Sequence, residues 1–405
     1  MIKRVLCFYP GRLELARGAM ASIYGLRDGG GVLDHVVLVF FNPLATREDA
    51  GRLSERITIV ELPQHVGRLG GRPVAFLRAV ARLVRRAFVL ARSERVEAVV
   101  ALDPHLLGLT AWLLGRARRL PWAIEVVQDY DASARRAHGL AFKPFLFPGV
   151  ERAVERFLFR RAPLVLAMYP HLAEWAISRG ARRERVVTIG TVADDCHYAS
   201  WPDLRGERAR VIPGAEGRTW LLYVGRLHPV KFTHDLPAIL DAATRQGVDA
   251  HLVILGDGPQ REALEHEFAR RGLAERVSIP GAQSQDSLAR WYRMADVLVY
   301  THGGITLIEG ALAGTPIVCY RHDWHADLVG ESERGWLVPF RDTEAFGEAI
   351  ASVVKDPAAG RDRAARARDF ARAAFSRDRY RRIQEQVYRR LADEPDFLDI
   401  PAAFR

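Results

Sequence analysis

Eleven short runs rich in Val, Ile and Leu punctuate this chain, and most are separated by segments with the 3.6-residue period of an amphipathic helix. Strands joined through a helix pair in parallel, because a parallel pair needs a long crossover to bring the chain back to the same edge. The alternation therefore selects an α/β fold built on parallel sheets. It runs twice. The first series reads as strands at 3–8, 35–41, 57–61, 97–102, 122–127 and 164–168, with helices at 12–27, 74–93, 105–118 and 150–161. The second reads as strands at 219–224, 250–255, 276–279, 296–300 and 316–320, with helices at 233–246, 259–271, 285–294, 305–313 and 343–354. Between them, 194–218 is polar, lacks a clear period and holds Pro202, Gly206, Pro213, Gly214 and Gly217, which reads as a linker and the lead-in to a second domain. The boundaries predict an N-terminal domain over 1–195, a second over 196–375, and a terminal helix and tail over 376–405; 362–391 reads as one or two Arg-rich helices. A length of 405 residues suits two domains.

Composition narrows the classes of function. With 49% hydrophobic and 27% charged residues the chain is an ordinary globular one. No stretch reaches 18 uninterrupted apolar residues, and the apolar core of the N-terminus is shorter than that of a secretory signal, so a cytosolic protein is expected. Cys7, Cys196 and Cys319 lie far apart, which implies neither a disulfide framework nor a metal site. The net charge of +10 is uneven: 1–195 carries +11 and 196–405 carries −1. A basic first half suits an anionic membrane, a nucleic acid or a phosphorylated substrate. Because 55 of the 59 basic residues are Arg, each of the four lysines is the more informative.

Three segments of the second half could carry chemistry. In LLYVGRLHPVKF (221–232) a buried strand ends in Gly225 and Arg226, with Lys231 five residues on. Ligands in open α/β sheets bind beyond the carboxyl ends of strands, so these two cations either grip a diphosphate or sit solvated in an ordinary loop. In VILGDGPQREALE (253–265) a Gly-Asp-Gly-Pro turn opens a helix near Pro259, a pattern that structural punctuation alone explains. In ADVLVYTHGGITLIEGALAGTPIVCY (295–320) Gly303 and Gly304 would leave bare N–H groups at a helix N-terminus, an anion site. Glu309 lies on the apolar face of that helix and needs a partner there: sugar hydroxyls, a buried Arg or a backbone N–H.

Taken together and in order, these segments resemble the nucleotide-sugar half of the family 4 retaining glycosyltransferases, over about residues 219–355. The carriers are the strand-Gly-Arg…Lys element, the Gly-Asp-Gly-Pro turn, the strand at Ala295-Asp296-Val297, and Glu309-Gly310-Ala311-Leu312-Ala313-Gly314-Thr315-Pro316. The resemblance implies the GT-B fold: two Rossmann-like domains facing each other across a cleft, with the terminal helices crossing back to the first. It implies transfer of a hexosyl group from a UDP- or GDP-sugar to a hydroxyl of a glycan or lipid-linked acceptor, with retention of configuration and no cofactor or bound metal. By the same likeness Gly225, Arg226 and Lys231 would hold the donor diphosphate, Glu309 the ribose hydroxyls, and the Gly303, Gly304 and Ile305 backbone would face the donor sugar or phosphate. Two departures stand out. The family has a second Glu eight residues before the ribose Glu, where this chain has Thr301, and its paired glycines after the first strand are replaced by Tyr9-Pro10-Gly11-Arg12.

The first half resembles the family only in its alternation and in IEVVQDYD (124–131), where Gln128-Asp129 stands at the position of a His-Asp pair. Asp129 is the first candidate for a side chain near the anomeric carbon and His105 the second; either could instead serve the structure of a strand end. Two basic, apolar segments, 74–93 and 139–161, read either as interfacial surfaces for anionic lipid or as helices packed on their own sheet with Arg stems turned outward. No nucleic-acid module spacing is present, and none is expected as a partner. A nucleotide-sugar 2-epimerase of the same fold and a non-catalytic donor-binding protein remain the alternatives.

Overall fold

The computed structural model describes residues 2–11, 27–29, 31–42, 45–63, 73–127, 148–193, 198 and 204–392. Two compact units emerge, Met1–Val192 with Arg377–Arg405, and Ala193–Ser376.

The first unit is built on an eight-stranded sheet, β1 (Arg4–Pro10), β2 (His35–Asn42), β3 (Asp49–Arg52), β4 (Ile57–Pro63), β5 (Ala98–Ala101), β6 (Trp122–Val126), β7 (Leu164–Ala167) and β8 (Val186–Thr188), in the order β3-β4-β2-β1-β5-β6-β7-β8. Every pairing is parallel except that of the edge strand β3 with β4. Side chains alternate across the sheet. Leu6 and Phe8 join one core with Ala79, Leu83 and Ala87 of α1 (Pro73–Ser93), Leu107 and Ala111 of α2 (Leu106–Arg118), and Leu158 and Phe159 of α3 (Pro148–Arg161). Val5, Cys7 and Tyr9 face the other way. There they meet Ile383, Val387, Tyr388 and Leu391, one stripe of the chain's last described helix, Arg377–Leu391. The Arg-rich terminus thus covers the open face of the first unit's sheet, at i, i+4, i+5 and i+8 spacing.

The second unit holds a six-stranded, all-parallel sheet of β9 (Thr219–Val224), β10 (Ala250–Leu255), β11 (Val277–Ser278), β12 (Val297–Tyr300), β13 (Ile317–Tyr320) and β14 (Trp336–Val338), ordered β11-β10-β9-β12-β13-β14. That is the 3-2-1-4-5-6 order of a dinucleotide-type fold, and the strand order reverses at the β9/β12 boundary. Strands β9 and β10 read as continuous apolar runs because both of their faces are covered.

Several elements differ from the sequence expectation. β3, β8 and β14 were not anticipated, because four charged or small residues (DAGR) and three-residue strands carry no readable alternation. The four- and five-residue helices Arg208–Val211 and His325–Val329 are too short to read in the same way, and the nine-residue Pro170–Ser178 is a further helix that the sequence reading lacks. Arg208, inside the stretch read as linker, is buried: its guanidinium bonds the Met294 carbonyl and lies 2.7 Å from Asp296 Oδ2. Of the aromatic residues in the segment 139–161, the two that are described, Phe157 and Phe159, turn inward, as in the second of the two readings of that segment. Phe159 is buried and Phe157 packs on the same core, meeting Trp175 and Trp112 edge to face. Residues 12–26 and 139–147 of the expected helix and surface lie outside the described residues.

Candidate functional site

The second unit's β9/β12 boundary gathers the chemistry. β9 ends at Val224, and Gly225 N–H donates to the Leu255 carbonyl at 3.0 Å, carrying the ladder one residue past the strand. Gly256 and Gly258 are needed here for close approach: both have φ near +155°, and a Cβ on either would collide with the Gly225 or Leu227 carbonyl. The Gly-Asp-Gly turn is therefore a buttress under the 225–227 loop, bonded to it through Leu227 N–H and the Asp257 carbonyl at 2.9 Å.

Beyond Arg226, which is exposed, the chain makes a single 3-10 turn, Pro229–Lys231, and stops at Phe232 with φ +52°. A bulky aromatic in the left-handed region costs about 1–3 kcal/mol, so its surroundings must hold it. They do: the Phe232 ring lies edge-on to His322 and Phe340, at centroid distances of 5.2 and 5.1 Å. The strain turns the chain so that the Lys231 side chain runs back towards the end of β12. There Thr301, fully buried, donates its hydroxyl to the Lys231 carbonyl at 2.7 Å. Its neighbour His302 takes the ammonium, with Nδ1 3.1 Å from Lys231 Nζ. Thr301, standing where the family has its second Glu, is thus spent on the backbone. Burial, and then the charge of Arg226, pull the Lys231 pKa down to about 8, with Asp323 opposing. Among the described residues neither Arg226 nor Lys231 is in an ion pair.

Helix α9, which we number after the intervening helices α4 (Pro170–Ser178), α5 (Arg208–Val211), α6 (Leu236–Arg245), α7 (Arg261–Arg270) and α8 (Gln285–Met294), spans Ile305–Leu312. Its N-terminus lies beside Lys231: a Cβ on Gly304 would stand 3.9 Å from Nζ. The expectation of two bare glycine N–H groups needs correction. Gly303 N–H donates to His325 Nε2 at 2.9 Å, while His325 Nδ1 bonds the Tyr320 carbonyl at 2.8 Å. This tautomer leaves the ring neutral, and burial drives its pKa down to about 3. Among the described residues the N–H groups of Gly304 and Ile305 meet no acceptor, so the anion-facing set starts one residue later.

Glu309 is 4% exposed, one turn inside α9. Its partners include two neutral side chains: Gln285 Nε2 donates to Oε1 at 2.5 Å and the Tyr292 hydroxyl to Oε2 at 3.2 Å. No sequence motif pointed to Gln285, His322, Asp323 or His325. The only available signal was RHDWH (321–325) directly after an apolar strand.

His302, His322 and Asp323 offer three ligand atoms within 4.8 Å of one another, the spacing of a metal cluster. Lys231 argues against that use. An ammonium donating to Nδ1 of His302 requires the proton to sit on Nε2, where a metal would have to bind. A cavity of about 430 Å³ lined by Arg205, Arg218, Arg293 and Asp296 opens at the opposite, amino ends of β9, β12 and β13.

In the first unit the candidates are placed differently. Asp129 lies outside the described residues. His105 is 1% exposed with Nε2 3.0 Å from Glu155 Oε1, and Glu155 Oε2 is 2.5 Å from Arg179. Asp103 Oδ1 accepts from His105 N–H at 2.7 Å and Leu107 N–H at 3.2 Å, capping α2, and burial raises its pKa against His105 and those amides. Both residues serve the start of α2.

Comparison with known proteins gives the family and the fold. Residues 207–374 match the family described as glycosyl transferases group 1, and residues 16–191 match the glycosyl transferase 4-like domain. An alpha-D-kanosaminyltransferase of Streptomyces kanamyceticus is 28% identical over 238 residues, 57% of this chain and 61% of the relative, so the chain spans about three-fifths of it. A 2-deoxystreptamine glucosyltransferase of the same organism is 27% identical over 345 residues, 81% of this chain and 86% of the relative. Among solved structures, a sucrose-phosphate synthase from Thermosynechococcus elongatus superposes with a TM-score of 0.78 at 19% identity, covering 96% of this chain and 99% of that one. Anabaena HepE in complex with UDP gives 0.74 at 18% identity, covering 97% and 100%. Two parallel α/β units and these neighbours define a GT-B fold. The chain belongs to the group 1 glycosyltransferase family.

Proposed function

We propose that the protein is a retaining, metal-independent glycosyltransferase that moves a hexosyl group from a nucleoside diphosphate sugar to a hydroxyl acceptor. The observation that carries this is the meeting of Lys231 Nζ with the free N–H groups at the start of α9, next to Arg226 and in the absence of any described carboxylate salt bridge to either cation. Such a corner favours a compact polyanion. In the reaction the bond between the anomeric carbon and the β-phosphate oxygen breaks and the acceptor oxygen bonds the same face of that carbon. The acceptor proton leaves with the diphosphate. Arg226 and Lys231 stabilise the charge that grows on the departing phosphate, work that a metal ion performs elsewhere. Glu309 binds the ribose hydroxyls, Gly225 lets the chain approach the diphosphate, and Gly303 to Ile305 border the donor sugar. In this reading the second unit binds the donor and the first the acceptor, and Asp129, which lies outside the described residues, is the first candidate for a side chain near the anomeric carbon.

UDP- and GDP-sugars are the donors to try first, since HepE is a neighbour seen with UDP. A glycan or lipid-linked acceptor made in a cell-envelope, polysaccharide or glycolipid pathway at the cytoplasmic face of a membrane fits α1, whose Val74, Leu77 and Val89 are exposed among arginines. No described helix is long and apolar enough to cross a membrane. The test is turnover of a nucleotide-sugar panel in EDTA, with the product's anomeric configuration read by NMR. An inverted product, or loss of activity with EDTA, refutes the corresponding part of the reading. Donor binding with no turnover on any acceptor would favour a non-catalytic binding protein, and sugar isomerisation without acceptor a 2-epimerase.

A further inference from the structure

We propose that His302, held by Asp323, is a positioning residue for Lys231, fixing the lysine as a charged but unneutralised donor to the diphosphate of a nucleotide sugar; this rests on the donor site proposed above. Thr301 and His302 are consecutive at the end of β12, and they grip opposite ends of one residue: the hydroxyl holds the Lys231 carbonyl at 2.7 Å and the imidazole holds its ammonium at 3.1 Å. A lysine has about 2 kcal/mol of side-chain entropy to lose on ordering, and a site that orders it beforehand spares the ligand that cost.

The chemistry of the partner is the central point. A carboxylate at this distance would order Lys231 equally well, but it would cancel the charge and repel a diphosphate. A neutral imidazole accepts one of three ammonium protons and leaves the charge and two donors. That role requires a bare Nδ1, hence a proton on Nε2. Asp323 supplies the reason for it to stay there, with Oδ2 3.1 Å from His302 Nε2. The carboxylate therefore stands one ring behind the lysine, close enough to support its charge and too far to quench it. Asp323 is itself fixed, with φ +48°, and the same oxygen is 3.3 Å from His322 Nε2 while the His322 ring stacks on Phe340 at 4.6 Å.

The experiment is a double-mutant cycle on the full chain, with UDP and GDP binding read by calorimetry. His302→Leu is expected to weaken nucleoside diphosphate affinity about tenfold, the loss of one hydrogen bond to a charged group. His302→Asn, whose amide oxygen can occupy the Nδ1 position, is expected to keep most of it. In a Lys231→Ala background His302→Leu is expected to change nothing further, because its effect passes through the lysine. Equal losses in His302→Leu with and without Lys231, or no rescue by His302→Asn at an unchanged melting temperature, would overturn the positioning role. If Lys231→Ala itself leaves affinity unchanged, or the wild type binds neither nucleotide, the donor-site reading falls and takes this proposal with it.

Discussion

The two sheets have related strand orders, yet the charged groups near the carboxyl ends of their central strands are used in opposite ways. In the first unit, Arg27 gives Glu125 two hydrogen bonds at 2.9 and 2.8 Å, between Tyr9 and the terminal helix. Burial works against the Arg27 charge and Glu125 more than offsets it, so the guanidinium stays protonated. Arg179 and His105 are likewise matched to Glu155. In the second unit, among the described residues, Arg226 and Lys231 make no ion pair with a carboxylate, and the N–H groups of Gly304 and Ile305 at the start of α9 meet no acceptor. Topology provides the crevice in both; unmatched charge distinguishes the one that can take an anion. The same contrast applies to the +11 carried by 1–195. Ion pairs such as Arg27–Glu125 remove one charge of each sign and leave that excess unchanged, so net charge alone is a poor guide to where phosphate binds.

The contrast can be broken most sharply by removing one partner from each region. Glu125→Ala leaves Arg27 buried and unmatched, and an unpaired buried charge costs about 3–5 kcal/mol. We expect a steep fall in the urea midpoint at unchanged nucleotide affinity per folded molecule. Lys231→Ala should do the reverse: a folded protein of near-normal stability whose kcat/KM for the nucleotide sugar drops about 10²- to 10³-fold. If Lys231→Ala unfolds the protein instead, its role is structural and the two regions are alike. Gln285→Ala removes a donor from Glu309 without touching the cations, and a weakening of about tenfold in nucleotide affinity is expected. Comparing a nucleotide with the bare sugar-free diphosphate separates the two contributions, since only the former has a ribose for Glu309.

The legible part of this protein was its periodicity. Runs dominated by apolar residues, such as TWLLYV and AHLVIL, match their strands to the residue, because a doubly covered parallel strand admits few polar positions, here Thr219 and His251. Arg226, Lys231 and Glu309 were visible because they interrupt such patterns at fixed distances from a strand end. What could not be read was pairing across the chain. Nothing local to Lys231 shows that His302, 71 residues on, will accept a hydrogen bond from its ammonium, or that Gln285 will find Glu309. Gly303 shows the limit in the other direction. Its sequence position suggests a bare N–H, and only the fold of 320–325 shows that His325 has taken it. The function of the Gly-Asp-Gly turn was also hidden, since its glycines answer to the carbonyls of a loop some thirty residues earlier, not to a ligand.

The finest test of the contrast is the dependence on pH, because it reads the charge of Lys231 alone. Its pKa in the folded protein, about 8, lies below the 10.5 of an ordinary lysine. From about pH 8 upwards the folded state has released a proton that the unfolded chain still holds, so this group's contribution to stability rises with pH until the unfolded lysine also titrates. Binding moves the other way. A diphosphate favours the ammonium, so above pH 8 the site must take up a proton to bind, and affinity should fall by up to about tenfold per pH unit. Below pH 8 the lysine is already charged and its contribution is flat. Lys231→Arg carries a guanidinium that stays protonated throughout this range, and the slope attributable to the site should vanish. The nucleotide's own titration is common to both proteins and cancels in the comparison. Calorimetry from pH 7 to 9.5 on the pair would show it: parallel curves would mean that Lys231 keeps its proton at every pH, and that its charge is matched after all.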